Sequence, residues 1–317
     1  MNQKYYPYFR GRQFELLALR ELLEKDLLSE SIIPIVEPVK LSSTLLTTFK
    51  AFSEKKRIIG LVRNPEFGDV VKELKLAPED LQKEYARVFQ AINVLQVLLQ
   101  RGDTKELVKP FLTKIQSHPE QWAALYREKD NVEVLALQAQ NAPAYGLNLI
   151  PDSTRIRRAL KDRGKVLLRD CFDKQERNAD YQKNLDEIFT DDHTFAESEG
   201  YLGTGDYSII GSSYSESGFA PYAVAIHIVY ENPKGSGILR VRHFVSDSND
   251  GIDDPAGKFE EAARKLASWV EKVKMEKTNG LSAILQAHQE GCYPGLGSLK
   301  KYSIMHHLEL MGNILSR

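Results

Sequence analysis

Residues 205–247, GDYSIIGSSYSESGFAPYAVAIHIVYENPKGSGILRVRHFVSD, hold the densest chemistry in this chain. They place Asp206, His227, Arg240, Arg242 and His243 on or beside apolar runs that read as strands. Charged and imidazole groups inside such runs are costly to bury alone, so they mark either a pairing network or a site. In AVAIHIVY, Ala223, Ala225 and His227 share one face, and Val224, Ile226 and Ile228 the other. The small-residue face suits a crowded barrel interior. In ILRVRHF, Arg240 and Arg242 share a face and His243 points opposite. If that face is buried, the arginines need carboxylate partners or an anionic ligand.

Parallel α/β folds build their sites at the carboxyl ends of strands, and this gives further candidates. Glu37 and Lys40 follow IIPIV, Arg63 follows IIGLV, Asn148 lies in AYGLNLI, and Arg169 and Asp170 close KVLLRD. Glu37, Asp170 and Asp206 with His227 and His243 form the expected catalytic set, as acid and base or as ligands of a divalent metal. Lys40, Arg63, Asn148, Arg169 and Arg242 form the expected ligand-binding set, able to hold a phosphate or carboxylate. Against both stands the plainer reading of salt bridges and loop ends around a barrel mouth.

Other motifs fail on inspection. GTGDYS (203–208) has Ser208 where a dinucleotide fingerprint needs its third glycine, and GLGSLKK (295–301) lacks the Walker A spacing. In SDSNDGIDDPAG (246–257), Gly257 stands where a calcium loop needs its bidentate glutamate. His306 and His307 are adjacent, not four apart, and fall beside the Ile304, Leu308, Met311, Leu315 stripe, so packing is expected of them. RIRRALK (155–161) reads as a solvated basic helix.

The elements that must carry these residues follow from periodicity. Helix is expected over 12–28, around Leu45, Phe49 and Phe52, through most of 66–130 (with Leu95, Val97, Leu98 and Leu99 as a buried helix), and from Pro119 past Trp122. Strands are expected at 32–36, 57–65, 132–138, 144–150, 165–170, 206–211, 222–230 and 238–245. After Asp253-Asp254-Pro255, the spacing of Phe259, Ala263, Leu266, Val270 and Val273 predicts a helix, followed by helices near 281–288 and 304–315. Eight strands with interleaved helices predict an α/β fold, an irregular TIM-like (β/α) barrel with extra helices. Only seven residues, ENPKGSG, separate the last two strands, too few for a parallel crossover, so a late antiparallel hairpin is expected. With no repeat, low-complexity tract or linker, the 317 residues read as a single domain.

Composition narrows the function classes. A net charge of -1, from 43 Lys+Arg against 44 Asp+Glu, gives no global pull toward nucleic acid or membrane. Cys171 and Cys292 have no metal-binding spacing and read as reduced thiols. With no apolar leader and no long apolar run, a cytoplasmic protein without a membrane partner is expected.

The wording YYPYFRGRQFELLALREL, IIPIVEPVK, TFAESEGYLGTGDYSIIG, GFAPYAVAIHIVY, RVRHFVSD and SLKKYSIMHHLELM resembles the bacterial and phage "beta protein" family across nearly the whole chain. The resemblance implies a bacterial cytosolic protein with a barrel-like α/β fold and a phage-defence or mobile-element setting. It transfers no catalytic residues. Three functions stay open. The first is a hydrolase or phosphodiesterase-like enzyme acting on a nucleotide, nucleic acid or other anionic ligand through a polar barrel-mouth pocket. The second is a non-catalytic binding or regulatory subunit with a protein partner from the same defence system or a second copy, docking through Met305, Leu310 and Met311. The third is sugar or small-metabolite chemistry with paired carboxylates.

Overall fold

The computed structural model describes residues 3–101, 106, 108–127, 130–215, 221–232 and 237–317. The chain forms two compact units, each assembled from three separate segments. The first comprises Met1–Leu16, Glu30–Arg169 and Asp192–Tyr207; the second comprises Leu17–Ser29, Asp170–Asp191 and Ser208–Arg317. Because the chain passes between the units several times, no stretch of linker composition marks their boundary.

The first unit is built on a parallel sheet. Its strands are β1 (Lys4–Tyr5), β2 (Tyr8–Phe9), β3 (Ile35–Val36), β4 (Ile59–Val62), β5 (Val94–Leu99), β6 (Trp122–Leu125), β7 (Leu147–Ile150), β8 (Lys165–Arg169) and β10 (Gly203–Asp206). Their order is β1-β10-β8-β7-β6-β5-β4-β3-β2. The first and last members of that order are two halves of one extended segment, residues 4–9, parted at Tyr6-Pro7. On one side Tyr6 N donates to Thr204 O at 2.8 Å; on the other, Ile33 N donates to Tyr5 O and Ile35 N to Pro7 O, both at 2.8 Å. Segment 4–9 therefore closes the sheet into a (β/α) barrel, counted as eight strands. Pro7 has no N–H to give, which interrupts the ladder between β1 and β2.

Tyr8, Ile35, Val62, Val97, Leu125, Leu149 and Leu168 pack together on the inward face. Leu98, Ala124, Ile150 and Leu167 alternate with them and pack against Leu135, Ile156 and Leu160 of the outer helices. Closure needs glycine at the seam: a Cβ on Gly203 would lie 2.1 Å from Lys4 O, and one on Gly205 2.3 Å from Tyr6 O.

Several sequence expectations are corrected in this unit. Val94–Leu99 is strand, not helix; buried on both faces, it shows no alternation to read. Pro119 opens only a 3-10 turn, and Trp122–Leu125 is strand. The segment VEVLALQ is a helix, Val132–Asn141, because the Asn131 side chain accepts from Glu133 N and Val134 N and caps it. The apolar residues that suggest a strand include Val132, Val134 and Leu137, which the helix leaves exposed. The eighth barrel strand is 203–206; Ser208–Ile210 is a 3-10 turn.

The second unit holds an antiparallel sheet of order β11-β12-β9, from β11 (Ala225–Glu231), β12 (Leu239–Val245) and β9 (Asp186–Thr190). The late hairpin is thus present, although residues 233–236 of its connection lie outside the described residues, as do 216–220 before β11. It forms its own sheet rather than the closing half of the barrel. Val224, Ile226, Ile228 and Phe244 pack on helices Pro255–Val273 and Asn279–Gln289 through Phe259, Leu266, Leu281 and Ile284. Helix Pro255–Val273 starts where expected, with Asp254 capping Gly257 N and Pro255 in the first turn.

Helix Leu296–Leu315 buries Met305 and Met311, so these do not form the exposed docking face expected of them. Its His306 accepts from Thr278 Oγ1 at 2.8 Å and donates through Nε2 to Val229 O at 2.6 Å, satisfying an edge strand. Glu309 accepts from Asn279 N and Gly280 N, fixing the start of the neighbouring helix. Among the described residues, no helix is long and apolar enough to cross a membrane.

Candidate functional site

Two clusters gather polar side chains, one in each unit. At the carboxyl end of the barrel, the inward alternation of β2, β3 and β6 continues to Arg10, Glu37 and Arg127. All three are buried. Glu37 is ion-paired to Arg10 and accepts from Tyr8 OH at 2.8 Å and Glu66 N at 2.6 Å. Arg127 is ion-paired to Glu66 and to Asp130, the latter at 3.2 Å. The Arg10 guanidinium also lies 4.9 Å from the centre of the Phe67 ring. Burial pushes the Tyr8 hydroxyl far above its ordinary range. Each charge here is answered by another from the same unit, which is what burial demands.

The second cluster lies on the β9-β12-β11 sheet. His227 and His243 are directly opposed in the β11–β12 register, and their Nδ1 atoms are 2.8 Å apart. His243 Nε2 lies 3.3 Å from Glu187 Oε1. The Tyr181 ring packs at 4.6 Å from both imidazoles, and Phe172 lies edge-on to His227 at 5.1 Å. Burial holds His227 well below the ordinary imidazole range, with His243 and Lys300 adding to the effect. Burial likewise lowers His243, to about 4, against the opposing pull of Asp186 and Asp173. Glu187 is pushed up by burial first, then by Asp173. Both imidazoles are therefore neutral near pH 7.

His227 lines a cavity of about 320 Å³, together with Phe172, Tyr181, Ile209, Leu299 and the polar Lys174, Gln175, Asn178, Lys300 and Ser303. That size suits a small molecule. No carboxylate appears among the described lining residues. The first turn of helix Leu296–Leu315 contributes Leu296, Leu299 and Lys300, and its N-cap is Gly295, which has no side chain to occupy the free N–H groups. His227 Nδ1 is taken by His243; its Nε2 makes no hydrogen bond to a described residue.

The sequence candidates thus separate. Glu37 and Asp206 belong to the barrel unit, on opposite faces of the sheet: Glu37 points inward, whereas Asp206 accepts from Tyr5 OH at 2.7 Å on the outer face. Arg63, also in the barrel unit, is largely buried, and its charge is disfavoured by that burial. It makes no ion pair with a described residue. Asn148 is not a strand-end ligand; its Nδ2 donates to Gly164 O at 3.0 Å from within β7. Arg169 pairs with Asp192 at 2.9 Å, and Lys40 is exposed.

In the second unit, Asp170 accepts from Ser212 N at 2.8 Å and so ties down a loop. Arg242 is held by Asp186 at 2.9 Å, which also takes Arg240 at 2.6 Å and the Tyr230 hydroxyl at 2.8 Å. Of the expected catalytic set, only His227 and His243 come together. Their face is the one alternation assigns, but it belongs to the small sheet and not to a barrel interior. Among the described residues, no group of three or more His, Cys, Asp or Glu side chains could hold a metal ion.

Sequence reasoning misses Arg10, Arg127, Tyr181, Glu187 and Lys300. A strand read at 122–125 exposes Arg127 by parity, and the hairpin register pairs His227 with His243. Glu187 lies in LDEIFT, too short and polar to stand out as a strand.

No family model matches the chain, and no curated protein matches it. Among solved structures, it is similar to tryptophan synthase from M. tuberculosis (a ligand-free mutant form), with a TM-score of 0.34 and 12% identity over 65% of this chain and 83% of that one. The closed parallel barrel, read from its own hydrogen bonding, defines the architecture independently of that likeness.

Proposed function

We propose that the protein binds a small phosphorylated or otherwise anionic ligand in the His227 cavity and hydrolyses it, with His227 moving the proton. The observation that carries this reading is an imidazole Nε2 with no hydrogen-bond partner among the described residues, in a cavity whose described lining has two lysines and no carboxylate. Lys174, Lys300 and the N–H groups opening helix Leu296–Leu315 supply positive potential for the anion. Phe172, Tyr181 and Leu299 supply an apolar wall for the rest of the ligand. In the hydrolytic step, water oxygen bonds to phosphorus and the ester P–O bond breaks. His227 Nε2 takes a proton from the water and returns it to the leaving oxygen. The site thus moves from the barrel mouth, where the sequence points, to the smaller unit. A phage-defence setting rests on the family resemblance.

The test uses inorganic phosphate and p-nitrophenyl phosphate with the whole chain. Phosphate is expected to perturb the His227 resonances, with binding weakened about tenfold or more in Lys300→Ala, the scale of one lost charge-assisted contact. Ester hydrolysis is expected to disappear in His227→Ala. Phosphate binding without turnover would support a non-catalytic binding subunit instead, and neither binding nor turnover would overturn the reading.

A further inference from the structure

The geometry points to Glu187 and His243 as positioning residues that fix His227 in the less common imidazole tautomer, with Nδ1 protonated and Nε2 presented to the cavity as a base. This rests on the proposed reading only for the identity of what enters the cavity.

The hydrogen bonds lead inward from the carboxylate. An ionised Glu187 can only accept, so the proton it faces at 3.3 Å is on His243 Nε2. A neutral imidazole carries one N–H, so His243 Nδ1 must accept. Its neighbour at 2.8 Å, His227 Nδ1, is then the donor. That leaves the lone pair of His227 on Nε2. Free imidazole side chains favour the opposite tautomer, so the chain of contacts overrides an intrinsic preference.

The surroundings are consistent with this assignment. Tyr181 and Phe172 present their rings to His227, and the Tyr181 hydroxyl is taken by Gln175 N at 3.1 Å. Lys300 faces His227 as a cation and disfavours imidazolium there, while Asp173 and Asp186 lie on the His243 side. A group entering the cavity beside Nε2 must therefore bring the proton. The co-substrate is water or a hydroxyl, and the resting enzyme starts with proton abstraction rather than proton donation. When Nε2 takes that proton, the O–H bond breaks and its electron pair stays on oxygen. The Nδ1 proton can then move toward His243, and the His243 Nε2 proton toward Glu187.

Long-range ¹H–¹⁵N correlation on histidine-labelled full-length protein at pH 7.5 reads the tautomers directly. His227 is expected protonated at Nδ1 and His243 at Nε2. In Glu187→Ala nothing fixes which ring donates across the Nδ1–Nδ1 contact, and His227 is expected to lose its exclusive Nδ1–H form and show an Nε2–H population. In Glu187→Gln, whose amide oxygen still accepts, the wild-type pattern should persist. A wild-type His227 protonated at Nε2, or a His227 tautomer indifferent to Glu187→Ala, overturns the inference. The anion reading fails separately: predicted tautomers with no response to inorganic phosphate would leave the relay standing and remove the proposed ligand.

Discussion

His227 and His243 meet across antiparallel strands with their Nδ1 atoms 2.8 Å apart, a contact that needs one proton between them. A second proton would set two N–H groups against each other. The pair is therefore stable only while both rings are neutral or share one charge.

Acid should weaken the second unit before it reaches the carboxylates. His243 and His306 are lowered from 6.5 to about 4 and His307 to about 3, in each case chiefly by burial. Their folded values lie below the unfolded one, so between roughly pH 6.5 and 4 the unfolded chain binds more protons. Stability is full above that window and is lost as pH falls through it. For a fully buried group such as His306, a shift of that size is worth about 3 kcal/mol. Urea denaturation at pH 7.5, 6 and 5 is expected to show declining midpoints, with a shallower decline in His306→Gln. A flat profile down to pH 5 would refute the assignment of neutral buried histidines.

Removing Arg10 should cost more than removing its pair. Arg10→Met leaves Glu37 as a buried uncompensated charge, at about 3–5 kcal/mol. Adding Glu37→Gln removes that charge, keeps an acceptor for Glu66 N and turns an amide N–H to the Tyr8 hydroxyl, which can accept it. The double variant is expected to recover at least about 1 kcal/mol of the single loss in guanidinium melts. Additive losses would mean that the two side chains do not interact.

Gly205→Ala should break the barrel seam. Its Cβ would meet Tyr6 O at 2.3 Å, and backbone on both sides leaves little room to yield. The expected outcome is loss of cooperative unfolding, followed by circular dichroism. Gly200→Ala is a poor control because of its positive φ; Ser198→Ala, on an exposed turn, should unfold as wild type.

Asp186→Asn separates scaffold from site. Asp186 holds Arg240, Arg242 and Tyr230, but all of these are partly exposed, so the loss is expected to be about 1 kcal/mol after solvent screening. Phosphate affinity should be unchanged within about twofold. A tenfold loss would bring Asp186 or its arginines into the ligand site.

The alternation of AVAIHIVY and ILRVRHF shows in the sequence because one face packs on helices and the other carries polar groups. The same property hides β5: Val97 and Leu99 face inward while Leu98 faces the helices, leaving a run with no period. Asn131 decides the state of residues 132–141 through a cap, which outweighs the strand-like spacing of Val132 and Val134. The site was half legible. The histidines stand out as polar residues in apolar strands, and the short hairpin sets Glu231 opposite Leu239 and hence His227 opposite His243. Glu187 and Lys300 reach the cluster from β9 and the last helix, contacts between distant segments that no local pattern announces.

The strand that closes the barrel is made before the other barrel strands, whereas its partner β10 arrives nearly 200 residues later. Until then β3 can pair with residues 4–9, but the other flank of that segment has nothing to bond. A ribosome-bound chain would thus hold a curved, open sheet with two raw edges until residues 203–206 are made. Such long-range closure carries a large loop-entropy cost and slows folding. Open edges are also templates for pairing with other chains. For this protein the hazardous interval is the time before residues 203–206 emerge, while the edge N–H groups of Lys4 and Tyr6 still lack the Leu202 and Thr204 carbonyls that they bond in the closed barrel.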